Sequence, residues 1–274
     1  CTGDPSIIVA VLDEGLHLWY VVRFSDEHPV EKVAADLARL GEVSRVEYNR
    51  TLKRASDTKA VPLTASEIRQ MGTAAKTAAF NDPHLGLQWH MVNNGDLGKT
   101  KFVAGADVNV AKAWELCTGD PSIIVAVLDE GVDFSHPDLK GSMWINEGEV
   151  WRSNEDNDGN GYAGDYHGYN FAAGSGVIST NGRYDTGHGT HVAGVIAATN
   201  NNGIGISSIA GGTPDNPGVK IMSCQIFSGA LAGTVLDEVR AIKYAADNGA
   251  VILQCSWGYI SGAANPYDWQ PQFS

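Results

Sequence analysis

Residues 122–139 read SIIVAVLDEGVDFSHPDL, six apolar residues from Ile123 to Leu128 followed by Asp129, Glu130 and Gly131. An unbroken apolar run this short, closed by an acid and a glycine, suits a strand buried on both faces, as in a parallel sheet covered by helices. Ligands of open α/β sheets gather outside the C-terminal ends of such strands, and the run would deliver Asp129 to that edge. From this segment alone, an acid that merely caps the turn fits equally well.

A second stretch, TGHGTHVAGVIAAT over residues 186–199, packs two histidines among glycine and alanine. The spacing predicts a tightly packed helix with His188 on its first turn. A histidine there suits a general base, although a lone histidine is more commonly structural. His188 and His191, three apart, could also share a metal, but no glutamate of an H-E-x-x-H pattern accompanies them.

GHGTHVAG at 187–194, preceded by an apolar strand ending in Asp-x-Gly and by HPDL at 136–139, resembles the subtilisin-like serine proteases, the subtilases. The resemblance runs from about residue 81 to 274 and implies an α/β fold: a parallel-sheet domain covered by helices on both faces. It makes Asp129 the acid that orients the imidazole, and His188 the base that takes a proton from serine and returns it to the leaving amine. The family usually carries Ser or Thr after the acid, where this chain has Glu130. The family's serine lies in a Gly-Thr-Ser-Met-Ala stretch well beyond the counterpart of VILQCSWG. Neither it nor the oxyanion-hole asparagine occurs here, so the nucleophile is expected outside this chain and 81–274 is expected to be the N-terminal part of a longer catalytic domain. Ser256, Trp257 and Gly258 resemble the strand that pairs with substrate backbone, and Leu231 to Gly233 the opposite edge of the cleft. A peptide would then be held extended by main-chain hydrogen bonds. Trp257 as a plain core residue is the alternative.

The loop NEDNDGNGYAGD at 154–165 sets Asp156, Asp158 and Asn160 at alternating positions, with glycine at the turn and Asp165 beyond. Hard cations take several oxygen ligands from a loop of this kind, so Ca2+ is expected there; a solvated acidic turn is the plainer reading. By resemblance to the strong calcium site of thermostable subtilases, a second Ca2+ would use Asp82, Asp138, the Asn202 side chain and the carbonyls of Thr199, Ile204 and Ile206. Millimolar calcium outside the cell suits such sites and points to a secreted or cell-surface protein.

Upstream, residues 1–15 repeat 117–131 letter for letter. Only the second copy runs on into VDFSHPDL, so the first reads as a duplication or an artefact and not as a second site. Residues 16–24 predict a strand, apolar residues Val30, Val33, Ala34, Leu37 and Leu40 a helix ended by Gly41, and residues 42–54 one half-buried strand. Residues 1–60 are thus expected to form a small α/β, ferredoxin-like unit, followed by a linker over 61–80. The resemblance makes this unit a propeptide that inhibits in cis.

Composition bounds the rest. The chain has 274 residues and a net charge of −13, which repels nucleic acid, while the resemblance implies protein or peptide substrates as partners. Its apolar runs fall far short of the roughly 18 residues a membrane span needs. Cys1, Cys117, Cys224 and Cys255 have no metal-ligand spacing and read as buried thiols. Beside the protease stand two further readings: a catalytically inactive subtilase-fold binding module, favoured by the missing serine and by Glu130, and a metal-dependent hydrolase using His188 and His191.

Overall fold

The computed structural model describes residues 6–13, 16–25, 27–54, 64, 66, 80–95, 103–180 and 185–259, with backbone alone for those before Tyr20 and for Tyr259. Cys1 and almost all of the expected linker lie outside the described residues.

The N-terminal unit consists of β1 (Ser6–Asp13), β2 (Leu16–Arg23), α1 (Val30–Leu37), β3 (Val43–Tyr48) and β4 (Leu52–Arg54). Its three-stranded sheet is antiparallel, in the order β2-β1-β3, with α1 lying against β1 and β3. Two boundaries differ from expectation. Helix α1 ends at Leu37, before Gly41, because its exit tightens into short turns in which Arg39 N donates to Asp36 O and Leu40 N to Leu37 O. The single strand expected over 42–54 is divided, since Asn49 Oδ1 and Arg50 O accept the N–H groups of Leu236 and Val235 and so tie the chain to a distant helix end. Past that tie β4 leaves the sheet.

The larger unit contains α2 (Val110–Trp114), β5 (Ile124–Glu130), β6 (Gly168–Asn170), α3 (His188–Ala197), β7 (Gly212–Thr213), β8 (Asn216–Pro217), β9 (Lys220–Phe227), α4 (Val235–Asp247), β10 (Ala250–Cys255) and β11 (Trp257–Tyr259). Strands β10-β5-β9-β6 form a parallel sheet in that order. Side chains alternate across it. Val125, Val127 and Ile221 pack with Ala193 and Ala197 of α3, whereas Ala126, Leu128, Met222 and Cys224 pack with Ala241, Tyr244 and Ala245 of α4. Both faces are therefore covered by helices, and β5 is buried on each side, at roughly 1.5–3 kcal/mol per large apolar side chain. Helix α4 begins at a capping box: Thr234 Oγ1 accepts from Asp237 N, and Asp237 accepts from Thr234 N.

Cys224 is buried, as expected, but Cys117 and Cys255 are exposed. Cys117 lies in the loop after α2, and Cys255 ends β10, an outer strand of the sheet among the described residues.

Candidate active site

Asp129 is the next-to-last residue of β5, and the pairing of β5 with β9 shifts register between Asp129 and Glu130. Such an irregularity re-aims side chains at a strand end. Here both carboxylates reach the start of α3. Gly187, the residue capping that helix, has φ 83°, a left-handed conformation that favours glycine. A Cβ on Gly189 would lie 2.3 Å from Glu130 O, so only glycine lets the helix approach the strand this closely.

His188 Nδ1 lies 2.8 Å from Asp129 Oδ1 and 2.9 Å from Oδ2. Asp129 is 2% exposed, and its Oδ1 also accepts the Glu130 N–H at 2.7 Å. Burial pushes the Asp129 carboxyl above the ordinary carboxylate range, while the bonds from His188 and Glu130 N pull it back. An acid buried against one ring nitrogen fixes the imidazole's orientation and leaves Nε2 to exchange protons.

In the sequence Glu130 stands out only as a departure from the family pattern, and its role is visible only in three dimensions. Its Oε2 accepts from Thr186 N at 2.9 Å, Thr186 Oγ1 at 3.0 Å, Gly187 N at 3.0 Å and His188 N at 3.2 Å. Its Oε1 faces Arg54 Nη1 at 3.0 Å.

The residues expected to line a cleft stand around β4. Trp257 is opposite Arg54 and Gly258 opposite Lys53 in an antiparallel pair, and Ser256 immediately precedes it. On the other side Gly233 O accepts Leu52 N at 2.7 Å and Gly229 O accepts Arg54 Nη2 at 2.8 Å. Leu231 is exposed and bonds to Ser228, not to β4. The chain's own segment therefore lies as a third strand between the two edges expected from the sequence, and Gly229 joins them.

Two groups of acidic and amide side chains stand apart from the Asp129–His188 pair. Glu149, Asp158 and Asp165 bring carboxylate oxygens within 4.8 Å of one another. Burial raises the Asp165 carboxyl above its ordinary range, with Asp158 adding to this against hydrogen bonds from Tyr244, Asn160 and Asn146. Glu149 Oε2 is buried without a hydrogen-bond partner. No motif in the sequence marks Glu149. Asp156 lies outside this trio and accepts from Asn160 N and Gly161 N, while Asn160 Nδ2 donates to Asp158 and Asp165. In the second group, Asp82 accepts from Asn201 N, Asn202 N and Ser207 Oγ, and Asp138 from Asn202 Nδ2 and Ile206 N. Burial raises the Asp138 carboxyl, and Asp82 contributes in the same direction. Thr199 N donates to Asp138 O and Ile204 N to Asn202 Oδ1, so these contacts of Thr199 and Ile204, like that of Ile206, run through N–H groups. His188 and His191 belong to no metal-ligating group among the described residues. Nor does any helix among them have the length and apolarity to cross a membrane.

Among known proteins, halolysin of Haloferax mediterranei is 33% identical over 178 residues, which are 65% of this chain and 26% of that protein. A cell wall-associated protease of Bacillus subtilis is 32% identical over 180 residues, 65% of this chain and 16% of its own. A solved protease from Pseudoalteromonas arctica is 26% identical, covering 68% of this chain and 47% of that one with a TM-score of 0.38. The chain spans about a quarter or less of the length of the first two. The sequence profile of the subtilase family matches residues 120–273, a stretch that contains Asp129, His188 and Ser256 to Gly258, and the chain belongs to that family.

Proposed function

We propose that this chain carries the acid and base of a calcium-stabilised serine endopeptidase, with the nucleophilic serine outside it, in a precursor-like form whose N-terminal unit occupies the cleft. The observation that carries the reading is the buried Asp129–His188 pair at the C-terminal edge of a helix-covered parallel sheet, beside the place where β4 lies between β11 and Gly233. Asp129 holds Nδ1, so His188 Nε2 accepts the serine proton during attack and donates it to the departing amine. Substrate backbone would lie extended between β11 and the segment 229–233, where β4 now lies.

The β4 contacts support inhibition in cis by residues 1–60, since a substrate and β4 would compete for the same main-chain partners. Two calcium positions fit the residues present. Glu149, Asp158 and Asp165, with Asn160 beside them, offer a hard-oxygen set in which the orphaned Glu149 Oε2 gains a partner. Asp82, Asp138 and Asn202 with the carbonyls of Thr199, Ile204 and Ile206 would form the other. Calcium would supply charge neutralisation and loop cross-linking there, away from the proton transfers. Its abundance outside cells favours a secreted or surface location.

The test is labelling of the full-length protein by a fluorophosphonate, which modifies only activated serine. One adduct is expected, and His188→Ala should abolish both labelling and peptide hydrolysis. No adduct on the full-length protein would favour an inactive binding module.

A further inference from the structure

We propose that Glu130 selects a basic side chain, arginine before lysine, at the substrate residue that lies opposite Trp257. The inference rests on the reading of the cleft as a protease's peptide-binding site, and it names the substrate class that site takes. β4 lies in the cleft in the manner of a bound peptide: its backbone pairs with β11 on one side and bonds Gly233 O on the other. Each of its side chains therefore marks a subsite. Arg54, opposite Trp257, puts Nη1 3.0 Å from Glu130 Oε1 and Nη2 2.8 Å from Gly229 O, with its guanidinium carbon 5.6 Å from the centre of the Phe227 ring. Carboxylate, carbonyl and aromatic face make a receptor for a planar cation. An ammonium can satisfy fewer of these at once.

Glu130 cannot turn aside, because four donors from residues 186–188 anchor Oε2 and fix Oε1 toward the cleft. Glu130 is 1% exposed with β4 in place. A peptide with a neutral residue at this position would dry Oε1 without replacing its water, and an acidic one would add repulsion. Discrimination follows from that uncompensated burial more than from the strength of the ion pair. The small residue usual in the family after the acid offers no such charge.

The experiment uses internally quenched peptides built on residues 50–57, RTLKRASD, with Arg54 kept or changed as Arg54→Lys, Arg54→Gln and Arg54→Glu, and as catalyst the full-length protein once its N-terminal unit has been released from the cleft. The native protein should order them Arg, Lys, Gln, Glu in kcat/KM, with at least about tenfold between Arg and Gln. Glu130→Gln should compress that ratio to within about threefold, and Glu130→Asp should retain a basic preference. The order on the native protein needs no variant to fold. Equal turnover of the Arg and Gln peptides, or a ratio undiminished in a folded Glu130→Gln protein, would overturn the proposal. Fluorophosphonate labelling without turnover of the Arg peptide would overturn this proposal alone, whereas absence of labelling would overturn the protease reading and this proposal with it.

Discussion

Cys224 stands in the middle of β9 with no exposed surface, packed with Leu128, Phe171 and Tyr244. Burial, and secondarily Cys255, pushes its thiol far above the ordinary range. The folded protein keeps this proton while the unfolded chain loses it above about pH 8.5, so the folded state binds more protons and stability falls as pH rises through the alkaline range. Each such thiol steepens the loss by about 1.4 kcal/mol per pH unit. Thermal melts between pH 8 and 10 should show a shallower decline in Cys224→Ala than in the native chain, whatever the variant's starting stability; parallel declines would refute it. A second prediction concerns the acidic loop. Calcium at a hundred times its dissociation constant would add about 2.7 kcal/mol, and Glu149→Gln or Asp158→Asn should remove most of the calcium-dependent rise in Tm, with Asp156→Ala removing less. Equal effects from Asp156 and Glu149 would contradict the trio. Legibility at this scale depends on chain locality. Asp129 and His188 sit in short recognisable strings, but Glu149 joins Asp158 and Asp165 through a loop folded back on itself, where Asn157 N donates to Glu149 Oε1 and Val150 N to Asn157 Oδ1. Nothing in its spacing announces that.

Among elements, the pairing of α3 with β5 decides the geometry of the site. Gly189 faces the strand backbone, with Glu130 O 2.3 Å and Gly131 O 3.2 Å from where a Cβ would sit, while Gly194, further along the helix, meets only Ile206 Cδ1 at 3.4 Å. Gly189→Ala must push the helix off the strand, costing about 1–3 kcal/mol and moving His188 relative to Asp129, with an expected loss of at least about tenfold in kcat. Gly194→Ala gains helix propensity and should change stability by less than about 1 kcal/mol in either direction. Urea unfolding and peptide hydrolysis on the two variants separate these outcomes; equal costs would show that the close approach is not limiting. The exact repeat makes a related point about what a sequence can convey. IVAVLD forms a strand in both places, antiparallel between β2 and β3 within Ser6–Asp13 but parallel between β10 and β9 within Ile124–Glu130. Strand character is written into the β-branched run, whereas direction and partners come from the different residues C-terminal to each copy. For the same reason the division of 42–54 into β3 and β4 could not be read locally, since the tie from Asn49 runs to Leu236 of α4, far along the chain.

At the scale of the whole molecule, helices cover both faces of the parallel sheet at β5 and β9 but leave β10 exposed. β10 has β5 as its only sheet neighbour among the described residues, and Val251, Ile252 and Leu253 are 68%, 50% and 38% exposed. Val251 and Leu253 share one face of this outer strand and Ile252 lies on the other, so dye can bind either face while the strand's backbone edge is a template for pairing with another chain. The net charge of −13 opposes that pairing at low salt, and screening weakens the opposition once the Debye length falls to about 10 Å near 0.1 M. The 274-residue chain by itself should therefore bind anilinonaphthalene sulfonate and associate increasingly with salt. Val251→Lys should suppress both while shifting Tm little, because an exposed position away from caps and cores is usually worth within about 0.5 kcal/mol either way. In the full-length protein the same substitution discriminates further: a cost of several kcal/mol there would mean that β10 is covered by sequence beyond this chain, and a cost as small as in the isolated chain would mean that the open edge is a permanent surface.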